Sequence, residues 1–122
     1  MADPKRLHRE VMKFALGLPG AYEDHPWGEI VAKVNKKVFV FLGHPDSPDG
    51  VGMGVKLRES NAEALGVPGV EPSGYGLGKA GWVSIEFGKG TPPVGVLTDW
   101  IEESYRIVAP RRLIVELDRR SG

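Results

Sequence analysis

An α+β fold follows from three features of the sequence and their order along the chain. Near the N-terminus, Leu7, Val11, Phe14, Ala15 and Leu18 recur at helical spacing, with Lys5, Arg6, Arg9, Glu10 and Lys13 mostly on the other side. The centre changes to a period of two, which marks half-buried strands. The C-terminal third returns to helical spacing with a second apolar stripe. The 122 residues are enough for one domain with a core of its own, spanning 1–122.

Each element has its own start and stop. Asp3 followed by Pro4 suits a helix N-terminus, because aspartate accepts from free N–H groups and proline needs none at the first position; Gly17 and Pro19-Gly20 end the helix. His8, on a mostly charged helix, reads as a solvated side chain. The segment Ala21 to Glu29 reads as a loop in which Tyr22 and Trp27 close the edge of the core while Glu23, Asp24, His25 and Glu29 stay in water. Ile30 to Val34 and Val38 to Leu42 form a hairpin turning at Asn35-Lys36. The second of these strands is apolar on both faces and therefore lies centrally or is covered twice.

After the polar loop Gly43 to Gly50, Val51, Met53, Val55 and Leu57 alternate with Gly52, Gly54 and Lys56, giving a third strand with one nearly bare face. Ser60 with Glu63 predicts a capped short helix closed by Gly66. Pro72 to Phe87 combines glycines at 74, 76, 78 and 81 with Tyr75, Lys79 and Trp82, and ends in a strand whose face Val83, Ile85, Phe87 is apolar. Trp82 shares the opposite, polar face. Thr91 and Pro92 predict the start of a long helix with Leu97, Trp100, Ile101, Ser104, Tyr105 and Val108 inward; Pro110 stops it, and Arg111 to Arg120 form a short basic helix.

Composition narrows the function. Sixteen basic and sixteen acidic residues cancel, so binding to nucleic acid or anionic lipid requires local clustering. The absence of cysteine excludes thiol catalysis, cysteine zinc sites and iron–sulfur clusters, and is consistent with a cytoplasmic location. No run approaches the roughly 20 apolar residues of a membrane span, so no membrane partner is expected. No nucleophile–base pair or metal-ligand spacing stands out, so neither an enzyme nor a cofactor or metal site is expected. Gly52-Met53-Gly54 lacks the following helix and third glycine of a dinucleotide site. The remaining candidates are the hairpin lysines Lys33, Lys36 and Lys37 and the set Tyr75, Lys79 and Trp82, which serve either phosphate contact or a pocket for a small molecule or protein partner beside the glycine face of the third strand.

The order and spacing of several short pieces resemble the MmcQ/YjbR family of small bacterial proteins. These are Leu18-Pro19-Gly20, Glu23 with Pro26-Trp27-Gly28, Lys33-Val34, Lys37-Val38-Phe39, Lys56, Tyr75 with Leu77-Gly78-Lys79, Gly81-Trp82-Val83, and Ser104-Tyr105 with Val108. The resemblance covers nearly the whole chain. It implies a CyaY-like fold, an antiparallel sheet with the N- and C-terminal helices packed on one face, and a DNA-binding protein of double-wing type whose hairpins contact the duplex. Ala80-Gly81, where many members carry a further cation, and the zero net charge imply weak contact. The basic first helix does not match the acidic ridge of frataxin-like iron handling.

Overall fold

The computed structural model describes residues 3–43, 51–74, 76–88 and 90–121, with the backbone alone at Trp27 and Ser121. Its helices are α1 (Pro4–Leu16), α2 (Asn61–Leu65), α3 (Val94–Val108) and α4 (Arg111–Ser121). Its strands are β1 (Tyr22–Asp24), β2 (Ile30–Val34), β3 (Lys37–Gly43), β4 (Gly52–Lys56), β5 (Val70–Pro72) and β6 (Trp82–Glu86). They form one antiparallel sheet in the order β1-β2-β3-β4-β6-β5. Helices α1 and α3 pack against each other and against the same sheet face, as expected for this α+β class.

Alternation decides which side chains meet that helical layer. Val40, Val55 and Val83 stand opposite one another on β3, β4 and β6 and are fully buried, as are Leu97, Ile101 and Tyr105 of α3. Trp100 is buried beside them. At the far end α4 folds back: Leu117 enters the core, Arg106 of α3 meets Asp118 at 2.7 Å, and Arg120 donates to the Gly17 carbonyl at 2.7 Å. The phenol of Tyr105 donates to the Pro19 carbonyl at 2.7 Å and its ring meets Phe39 edge-on at 5.4 Å, so the turn after α1 is held from inside the core.

Several sequence expectations are revised. His8 is not solvated: it is 2% exposed, and its Nε2 lies 2.8 Å from the Leu42 carbonyl. A carbonyl only accepts, so Nε2 carries the proton there. Tyr22 does not close the core edge, being 42% exposed, because 22–24 is an added edge strand rather than loop. Val70–Pro72 is likewise a short strand, on the opposite edge. Ser60 does not cap α2 with its side chain. The N–H groups of Arg58, Glu59 and Ser60 converge instead on one carboxylate oxygen of Glu103, at 2.7, 3.1 and 3.3 Å. Helix α3 begins at Val94, while Thr91 accepts from the Gly88 N–H at 2.7 Å and closes the preceding turn.

Candidate functional site

Antiparallel pairing brings the start of β3, the end of β4 and the start of β6 to one end of the sheet. The turn between β5 and β6, whose residues Leu77–Ala80 form a single 3-10 turn, lies at the same end. Its position is fixed by close backbone approach. Gly81 has φ +101°, and a Cβ there would stand 2.6 Å from the Leu57 carbonyl oxygen. The Gly81 carbonyl accepts from the Leu57 N–H at 2.9 Å and from the Asn61 amide at 3.1 Å. Glycine is therefore required on both steric and conformational grounds. The turn is clamped onto the end of β4.

Between these pieces lies an open cleft of about 480 Å³, lined by residues 56–58 of β4 and its exit, Asn61, residues 78–81 and Ile107 of α3. Three of the lining residues are cations, Lys56, Arg58 and Lys79, and none is acidic. Arg58 and Lys79 are exposed and Lys56 is half-buried. Among the described residues no carboxylate pairs with their side chains. The Asn61 amide nitrogen is spent on the Leu57 and Gly81 carbonyls, which leaves its Oδ1 as an acceptor.

Glu103, which is not part of the lining, is committed to the backbone of residues 58–60. Burial pushes the Glu103 carboxyl up, but hydrogen bonds from the Ser60 hydroxyl and from the backbone of Arg58, Ser60 and Glu59 outweigh it and hold the group below its ordinary value of 4.5. Its charge ties α3 to the segment that carries Arg58.

The sequence-predicted residues separate into two sets. Lys36, in the left-handed turn at φ 68°, and Lys37 are exposed at the hairpin tip, on the same end of the sheet as Lys79. Lys33 lies apart on the face away from α1 and α3, where it meets Asp24 at 2.7 Å. The hydrogen bond from Lys33, then the His25 N–H, hold the Asp24 carboxyl below its usual range, and Asp24 in turn raises Lys33. Trp82 is not an accessible platform: it is 8% exposed, its ring edge-on to Phe41 at 5.1 Å. Tyr75 lies outside the described residues. His25 pairs with Glu23, and among the described residues no group of three or more His, Asp or Glu could hold a metal.

Lys56, Arg58, Asn61 and Ile107 were not singled out as a site by the sequence. Lys56 and Arg58 do carry a signal, two cations flanking a buried leucine where a strand ends, but nothing local places them beside residues 78–81.

Comparison with known proteins agrees with the architecture. The crystal structure of protein DR2400 from Deinococcus radiodurans, described as a DUF419 domain, superposes with a TM-score of 0.70 over 97% of this chain and 92% of that one. At 22% identity the likeness is one of fold. No curated protein matches the sequence significantly. Among the described residues no helix is long and apolar enough to cross a membrane. The family model YjbR matches residues 16–107, which include every strand, α2 and nearly all of α3, and the chain belongs to the YjbR family.

Proposed function

We propose that the protein binds double-stranded DNA weakly, through phosphate contacts made by the cationic end of the sheet. The observation that carries this reading is the gathering of Lys36, Lys37 and Lys79 at that end, joined by Lys56 and Arg58, with no carboxylate paired to any of them among the described residues. Ammonium and guanidinium groups on a hairpin tip and an adjacent turn meet phosphates without reading bases. Lys33 shares its charge with Asp24 and contributes less. Trp82 supports the sheet face beneath rather than stacking on bases. Tyr75 belongs to the same glycine-rich stretch of the sequence but lies outside the described residues.

Zero net charge leaves no long-range attraction to add to these contacts, so affinity is low and strongly salt-dependent. Fluorescence anisotropy of a labelled duplex, titrated at several salt concentrations, tests it. The expected plot of log affinity against log salt falls by about 0.9 for each phosphate neutralised. Replacing Lys36 and Lys37 with alanine flattens that slope by about two, and Lys79→Ala by about one. Absence of binding at low salt, or a triple variant that binds like the parent, rejects the reading.

A further inference from the structure

The cleft beside residues 78–81 has features that contact with a duplex does not use. It is concave, and its volume of about 480 Å³ falls in the range of small-molecule sites, about 300–1,000 Å³. Its chemistry is graded. Lys56, Arg58 and Lys79 supply positive charge without a compensating carboxylate in the lining, Ile107 supplies an apolar wall, and Asn61 Oδ1 remains an acceptor. Its walls are pre-formed: the turn is pinned by the Gly81–Leu57 contact, and the Arg58 segment is pinned by Glu103. A pre-formed wall spares the ligand the entropy of ordering it.

We infer that this cleft binds a phosphate monoester of mononucleotide size. The dianion lies among Lys56, Arg58 and Lys79, where a planar guanidinium can hold two phosphate oxygens at once. The base or other flat body lies against Ile107, and a donor on that body meets Asn61 Oδ1. Because Lys79 and Arg58 also belong to the proposed duplex surface, ligand and DNA compete for them. The small-molecule site does not depend on duplex binding, since Lys36 and Lys37 lie outside the cleft.

The test is titration of the whole protein with AMP, inorganic phosphate and adenosine, followed by isothermal calorimetry and by backbone amide resonances. AMP is expected to bind more tightly than phosphate, adenosine to bind negligibly, and the shifted amides to fall within 56–61 and 78–81. Arg58→Ala and Lys79→Ala are each expected to weaken AMP about tenfold, while the Lys36→Ala, Lys37→Ala double variant leaves it unchanged. Both cleft variants alter exposed side chains, so unchanged thermal melting separates lost binding from lost folding. No AMP binding at millimolar concentration, or shifts confined to other segments, overturns the site. Phosphate binding as tightly as AMP overturns the mononucleotide assignment. Loss of duplex affinity in the hairpin variant with AMP binding intact separates this site from the DNA reading.

Discussion

The hydroxyl of Ser104 accepts the backbone N–H of Lys56 at 2.9 Å and donates its own proton to the carbonyl of Phe39. Continuing the β3–β4 register from Val40↔Val55 places Phe39 opposite Lys56, so the side chain from α3 relays the bond that a regular ladder would make directly. Helix α3 thereby fixes the end of β4 from which Lys56 and Arg58 project.

Ser104→Ala removes that relay inside a fully buried site. The expected loss is about 2 kcal/mol, because a buried donor and a buried acceptor lose their partner and the strands recover only part of it by closing up. Urea denaturation measures it through a lower midpoint at unchanged slope. Amide exchange at Lys56 should accelerate as well. A loss below about 0.5 kcal/mol would show that the ladder closes without the hydroxyl.

Glu103 makes stability fall in acid. Its folded pKa lies below the ordinary 4.5, so its contribution is fully present above that value and is lost as the pH drops through the folded value. Glu103→Gln should cost about 1–2 kcal/mol near neutrality and flatten the acid limb of the stability curve below about pH 4.5. Chemical denaturation at a series of pH values measures this. An acid limb identical in the two proteins would remove Glu103 from the account.

Gly81 and Gly74 provide a controlled pair within one stretch. Alanine at Gly81 meets both the Leu57 carbonyl at 2.6 Å and a φ of +101°, whereas a Cβ at Gly74 meets nothing within 4 Å. Gly81→Ala should destabilise by about 2 kcal/mol or more, and Gly74→Ala should stay within about 0.5 kcal/mol of the parent. Thermal melting of the two variants decides it. Equal effects would mean that the turn is not clamped onto β4.

Phe41 and Trp82 sit on β3 and β6, which are separated by β4, yet their ring centroids lie 5.1 Å apart. Two strand spacings are about 9.6 Å. The rings close that gap over Gly54, which stands opposite Phe41 and Ser84 and offers no side chain. A single methyl there makes ordinary contact with Phe41, at 3.5 Å. Gly54→Ala should therefore be nearly neutral, whereas Gly54→Leu should cost about 1–3 kcal/mol and red-shift tryptophan emission as the rings separate. A leucine variant with parental emission would sink the idea.

His8→Leu keeps the volume and removes the donor to Leu42. The expected cost is about 1–3 kcal/mol, from a carbonyl left without a partner beside a buried side chain. A denaturation midpoint equal to the parent's would show that the carbonyl finds another donor.

Much of the fold was legible in the sequence because local periodicity and local chemistry carry it. The stripe from Leu97 to Tyr105 needed no partner to be recognised as an inner face, nor did the alternation through Met53, Val55 and Leu57. Charge is different. The same periodicity left Lys33, Lys36 and Lys37 as one cluster, although a pleated strand sends Lys33 to the face where Asp24 waits and leaves the other two at the tip. It left Trp82 on a polar face that Gly54, on the strand between Trp82 and Phe41, turns into a packed one. His8 and Glu103 read as solvated positions and Ser104 as one more member of an inner stripe, and each is fixed by a backbone group between 34 and 65 residues away.

The sequence by itself determined the order and type of the main elements, the apolar faces that form the core, and the glycine-rich turn with Lys79, since these depend on neighbours along the chain. The tertiary structure decided that the turn lies against Leu57 and Asn61, that Lys56 and Arg58 join Lys79, and that Trp82 is withdrawn into packing. Those outcomes depend on strand order and on hydrogen bonds across long stretches of chain, which residue spacing does not encode. Of the predicted surface of Tyr75, Lys79 and Trp82, Lys79 lines the cleft and Trp82 is packed away, while Tyr75 lies outside the described residues.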